Sequence, residues 1–192
     1  MRRHVVHPAE QIRIDAHGLV ADRDLSVDGF GASATVRIRA ADTVSCMEKL
    51  YGDVVRSGDV HRLGEYAVTA ESIIDFAKQW DPQWFHVDEA AADDGPFGGL
   101  IASGIQTLAI FQRLAVPAVF DRLHVLCGKE IEGVRFLRPV RPGTVVTGTM
   151  TTTTVRPETD KRRVLVAYDV ELIDQYDEAV LVAVMSVYVR LP

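Results

Sequence analysis

The sequence predicts an α+β fold in which a curved antiparallel sheet wraps around one long central helix. Three observations lead there. After residue 129 the apolar residues recur with a period of two, in runs separated by short polar turns. Ahead of them, a segment after Gly98 is apolar on nearly every side at helical spacing, which marks a buried helix. Consecutive strands joined by short turns pair antiparallel, and a single buried helix needs a sheet to cover it.

The elements follow in chain order. "LGEYAV" (63–68) reads as a short strand, and Thr69 can cap a helix with Glu71 in its first turn. Ile73, Phe76, Ala77 and Trp80 then form one apolar helix face. That helix stops by Asp81, because Pro82 disfavours helical geometry in the residue before it. "VDEAAADD" makes a short second helix. The long helix is expected to start near Gly98 or Leu100, with Ile101, Ile105 and Leu108 on one side and Leu100, Thr107, Phe111 and Leu114 on the other. Gly99 and Gly104 each cost about 1 kcal/mol against Ala inside a helix. Close packing on a sheet, or a ligand approaching the backbone, would account for them.

The strands are "KEIEGVRFLRPV", closed by the turn "RPVRPG"; the β-branched "TVVTGTMTTTTV"; the alternating run from Val164 to Ile173; and the nearly continuous apolar "AVLVAVMSVYV", expected to be central. "RPETDKRR" and "QYDE" are the intervening turns. The whole reads as a meander.

The 192 residues suffice for one domain of ordinary size with an appendage. Residues 1–46 lack a clear period apart from "SATVRIRA", and Met47 opens a stretch that looks like a chain start. The expected organisation is an N-terminal extension over 1–46, disordered or a start-site artefact, and a domain over 47–192. An added edge strand is the other reading of the extension. It resembles no targeting peptide, since its six Arg are matched by six acidic residues.

A formal net charge of −6 argues against non-specific nucleic-acid binding. No apolar run reaches the roughly 20 residues of a membrane span. Two cysteines, Cys46 and Cys127, suit a reducing compartment better than a disulfide scaffold, so a cytoplasmic location is expected. No phosphate-binding glycine loop and no zinc motif is present.

The span "DPQWFHVDEAAADDGPFGGLIASG" (81–104) concentrates the chemistry. Asp81 and His86 flank a loop between helices. An ionised carboxylate only accepts hydrogen bonds, whereas a neutral imidazole has one donor and one acceptor. Together they can orient one water and remove its proton. Equally, Asp81 could cap the following turn and His86 could be a satisfied interior histidine. Gly104 falls early in the buried helix, where backbone N–H groups are unpaired.

"FAKQWDPQWFHVDEAAADDGPFGGLIASGIQTLA", followed by "VRFLRPVRPGT", resembles the MaoC-like dehydratase family, which includes (R)-specific enoyl-CoA hydratases of the hot-dog fold. The resemblance covers roughly residues 52–191 and rests on an Asp and a His five residues apart, with a glycine eighteen residues after the His. It implies reversible hydration of a 2-enoyl-CoA to a 3-hydroxyacyl-CoA. Asp81 and His86 would hold the water, and the Gly104 N–H would donate to the thioester oxygen. It implies no metal or redox cofactor, coenzyme A arriving as part of the substrate, and a homodimer. Gln83 and Ser103 are supporting candidates at two departures from the family pattern. The usual Asn-Pro between the Asp and the His is replaced by Gln83 and Trp84, and Ser103 stands where His is common before the glycine. Trp84 and Phe85 are core or interface anchors, or walls of an acyl pocket. Arg135, Arg138 and Arg141 could meet coenzyme A phosphates or belong to a solvated strand end. An acyl-CoA thioesterase and a non-catalytic acyl-CoA-binding subunit are the alternatives.

Overall fold

A computed structural model describes residues 49–192, so the expectations for residues 1–46 fall outside the described residues. Two short strands, β1 (Val60–Arg62) and β2 (Tyr66–Ala67), precede three helices, α1 (Ala70–Trp80), α2 (Trp84–Val87) and α3 (Glu89–Asp93). The long helix α4 (Gly104–Ala118) follows, then strands β3 (Val125–Phe136), β4 (Val145–Glu158), β5 (Arg163–Ile173) and β6 (Ala179–Arg190). The strand order is β1-β4-β5-β6-β3, with β2 also on β4, and every pairing is antiparallel. This is the expected α+β arrangement, the open sheet and central helix of the hot-dog fold. No helix among the described residues is long and apolar enough to cross a membrane.

The sheet is not a simple meander. Strands β4, β5 and β6 follow one another, but β3 crosses to the far edge and pairs with β6. The continuous apolar run of β6 is thereby placed between two neighbours, as a strand covered on both edges requires. Irregular register at three places between β3 and β6, and at Thr152/Thr154 between β4 and β5, adds local twist and bends the sheet. β4 runs beyond its β-branched stretch through Arg156, Pro157 and Glu158, into what the sequence suggests is a turn. Proline is tolerated there because β1 pairs with β4 only as far as Thr151, which leaves Pro157 on an open edge.

The period-two reading of β5 holds in its second half, where Val170 and Leu172 join the core while Asp169 and Glu171 are exposed; in its first half Leu165 and Ala167 are buried along with Val164, Val166 and Tyr168. Phe111, Leu114 and Ala115 of α4 belong to the same core cluster. Burying a side chain such as Phe111 stabilises the fold by about 1.5–3 kcal/mol. The QYDE turn is closed by Asp174, whose Oδ1 accepts the N–H groups of Tyr176 and Glu178 at 2.8 and 3.0 Å.

The helices hold three departures from expectation. α1 begins at its predicted cap: Thr69 accepts from the Ser72 N–H, and the Ser72 hydroxyl side accepts from the Thr69 N–H, both at 3.1 Å. Its buried face is Ile73 and Ala77; Trp80, at the end of the helix, is 69% exposed. The central helix starts at Gly104 rather than near Gly98 or Leu100. Gly98 and Gly99 have φ of +58° and +136°, values that suit glycine and break helical geometry. Residues 100–103 then run outside any helix, pinned by Ile101 N–H to Phe85 O and by Ala102 N–H to Val140 O, until Ser103 caps α4. Nor is α4 covered on all sides, since Ile105 is 54% exposed.

Candidate active site

Three elements converge on one carboxylate. Asp81 is the residue that ends α1, its N–H still bonded to Ala77 O at 2.9 Å. His86 lies on the single turn of α2, a helix formed where the sequence predicts a loop between Asp81 and His86. Ser103 is the N-cap of α4. The glycine-broken segment 95–99 returns the chain from α3, so that residues 100–103 pass beside α2.

Asp81 uses both carboxylate oxygens. Its Oδ2 accepts from the Ser103 hydroxyl at 2.6 Å, and its Oδ1 accepts from the Gln83 amide at 2.9 Å. Ser103 also accepts the Ile105 N–H at 3.2 Å, so it caps the helix and grips the carboxylate at once. The Ser103 hydroxyl, then the Gln83 amide, hold the Asp81 carboxyl below the usual carboxylate range; desolvation opposes them and the nearby His86 adds to them. Both supporting candidates therefore touch Asp81 directly.

His86 is buried, and its Nε2 lies 3.5 Å from Asp81 Oδ2. Its Nδ1 is 2.7 Å from the carbonyl oxygen of Ile101. A carbonyl only accepts, so Nδ1 carries the proton of a neutral ring and Nε2 presents its lone pair. Nε2 and Oδ2 are then two acceptors facing one another. They cannot bond to each other, but a molecule with two O–H groups satisfies both. Ile101 sets this tautomer through its main chain, which no side-chain pattern in the sequence can announce.

Gly104 is the first residue of α4. Its N–H has no intrahelical acceptor, and none is found for it among the described residues. A Cβ here would lie 2.8–2.9 Å from three ring atoms of Phe136, a β3 residue. A side chain here would have to displace the half-exposed Phe136 ring, which agrees with the close-packing reading of the sequence, and the same position leaves a free N–H at the positive end of α4.

Phe85 stacks edge-on to His86, with ring centroids 4.4 Å apart, and contacts Trp84 and Phe97. Phe85 packs against the core, while Trp84 and Phe97 are 46% and 41% exposed. The three arginines have different partners. Arg135 lines an open depression on the outer sheet face with Thr149, Asp169 and Glu171. Arg138 pairs with Glu178 and donates to Ala179 O. Arg141 donates to Phe97 O and so holds the glycine-rich segment that leads into the site.

Comparison with known proteins agrees with this architecture. The chain is 41% identical over 85 residues to the uncharacterized protein YdeM of Bacillus subtilis, spanning 44% of this chain and 60% of that protein. It is 37% identical over 84 residues to 3-hydroxyacyl-thioester dehydratase Z of Mycobacterium tuberculosis, spanning 43% of this chain and 56% of that protein. The match thus spans little more than half the length of these two curated relatives. The crystal structure of the MaoC-like dehydratase from Rhodospirillum rubrum superimposes with a TM-score of 0.67 and 31% identity, over 74% of this chain and 98% of that one. The family model described as MaoC like domain matches residues 56–173, more than half of the chain and a span that includes Asp81, His86, Ser103 and Gly104. By that match the chain belongs to the MaoC-like domain family.

Proposed function

We propose that this protein is a hydro-lyase that adds water to a 2-enoyl-CoA, or removes it from a 3-hydroxyacyl-CoA, at Asp81 and His86. One observation carries the reading: the Ile101 carbonyl keeps the proton of His86 on Nδ1, which turns two acceptors, His86 Nε2 and Asp81 Oδ2, toward a common point. Water bound there donates one O–H to each and directs its oxygen lone pair outward. As that oxygen attacks the β-carbon, the Asp81 carboxylate, ionised beforehand, takes the proton as the base while His86 Nε2 holds the water's second O–H. The electron pair of the double bond moves toward the thioester carbonyl, the Gly104 N–H at the helix start stabilises the oxygen that gains charge, and the enolate then takes a proton at its α-carbon, which completes the addition of H and OH. The similarity to a 3-hydroxyacyl-thioester dehydratase and to a MaoC-like dehydratase supports this class of chemistry.

A homodimer belongs to the same reading. β3 is an outer strand of the sheet, and Leu126, Ile131, Phe136 and Leu137 on and beside it are 40–52% exposed, Phe136 lying against Gly104. A second copy placed there would cover them. A cytoplasmic location accompanies the reading through the two cysteines of a thiol-poor chain.

Incubation with crotonyl-CoA tests the proposal. Loss of the enoyl absorbance with an 18-unit mass gain supports hydration. Release of free thiol would instead identify a thioesterase, and binding without turnover a non-catalytic subunit. Sedimentation of the full chain as a monomer would refute the dimer.

A further inference from the structure

The first turn of α4 carries a second polar group that the reaction above does not use. Gln106 lies three residues beyond Ser103, so the two side chains stand on one face of the helix, a turn apart. Both face α1. The Ser103 hydroxyl reaches Asp81 at the end of α1, and the Gln106 Nε2 donates to the Ser72 carbonyl in its first turn at 2.9 Å. The start of α4 is thus tied to α1 at both ends of that helix, at Asp81 through Ser103 and at Ser72 through Gln106.

Gln106 is 3% exposed, and its Oε1 is buried with no hydrogen-bond partner among the described residues. Exchanging the amide oxygen and nitrogen does not cure this. It would set the oxygen against the Ser72 carbonyl, two acceptors together, and leave the nitrogen orphaned in turn. The amide orientation is thus determined by Ser72, and a strong acceptor is left pointing away from it. A leucine or methionine would fill such a position without the desolvation cost of an unpaired amide oxygen. The residue type makes sense if a donor arrives from outside the chain.

We propose that Gln106 is a specificity-determining residue whose Oε1 accepts a hydrogen bond from a hydroxyl on the acyl chain of the substrate, remote from the reacting carbons. The proposal rests on the hydratase reading for the placement of the thioester, and it narrows the substrate class to enoyl thioesters bearing a hydroxyl along or at the end of the acyl tail. A site that holds an acceptor for a substrate hydroxyl rejects the analogue lacking it, because the acceptor is then buried unpaired.

The test compares a ladder of 2-enoyl-CoA esters ending in a hydroxyl with their methyl-ended isosteres, one carbon apart, by turnover and by calorimetric binding to the full chain. The expected result is a preference for the hydroxyl-ended ester of at least roughly 10-fold in kcat/KM at one chain length, lost or reversed in Gln106→Met. Gln106→Leu serves if the methionine variant does not fold. Equal use of both series by the wild-type protein overturns the proposal, as does a preference that survives in both variants. If neither series is hydrated, the hydratase reading fails instead. The binding comparison then still decides the role of Gln106: a preference abolished by the methionine variant supports it, and no preference refutes it.

Discussion

The Ser103 hydroxyl donates to Asp81 Oδ2 at 2.6 Å while its oxygen accepts the Ile105 N–H at 3.2 Å, so one side chain couples the start of the central helix to the carboxylate at the end of α1. The cap of a fifteen-residue helix thereby becomes part of the site.

Removal of that hydroxyl should be felt first in the titration of Asp81. Ser103 is the leading cause of its lowered pKa, so in Ser103→Ala the carboxyl moves back up toward its ordinary value. The sign for stability follows. A carboxylate depressed in the folded state adds stability above its unfolded pKa of about 3.9, and that stability is lost as pH falls through the lower folded value. Carboxyl-resolved NMR titration of wild type and variant checks the shift; an unmoved Asp81 resonance would contradict the hydrogen bond.

Asp81→Asn and His86→Ala should each reduce turnover of the true substrate by at least about 100-fold. Asn replaces an oxygen by a nitrogen that donates, and so breaks the pair of acceptors. Circular dichroism and melting should change little for Asp81→Asn, because the carboxylate side chain is partly exposed. Near wild-type rates in both variants would remove the pair from the mechanism.

Gly104→Ala sets two effects against one another. Alanine favours the helix by up to about 1 kcal/mol, but its Cβ meets the Phe136 ring at 2.8–2.9 Å, and overpacking costs about 1–3 kcal/mol. The substitution should destabilise the protein as it stands and become neutral or stabilising in a Phe136→Ala background. Denaturant melts of the four members of this cycle measure the coupling, and additive effects would rule out the contact.

Tyr168 is fully buried and its hydroxyl has no partner among the described residues. Tyr168→Phe removes an unpaired polar group and should stabilise the fold by about 1 kcal/mol. Burial pushes its pKa up to about 12, so the contribution of the neutral phenol is complete below the unfolded pKa of about 10 and is lost as pH rises toward 12. Ultraviolet titration of wild type against the phenylalanine variant identifies the late-ionising ring; its titration near 10 would mean that it is not buried.

Elements whose cause is local are legible from the residues alone. Thr69 and Pro82 delimit α1 through a cap and a steric clash between neighbours, and the alternation from Tyr168 to Leu172 in β5 sorts core from solvent because side chains in a strand point to opposite faces. The sequence also singled out Asp81, His86, Gln83 and Ser103, which the fold places in contact. The start of α4 at Gly104 was not legible, since apolar residues 100–102 match a helical pattern while long-range bonds to Phe85 and Val140 hold them out of the helix. Nor was the crossing of β3 to the far edge, because strand order depends on which apolar surfaces meet, not on any one run of residues. The tautomer of His86 was decided by tertiary structure alone. It rests on the main-chain oxygen of Ile101, a group that every residue carries and whose aim only the path of the chain determines.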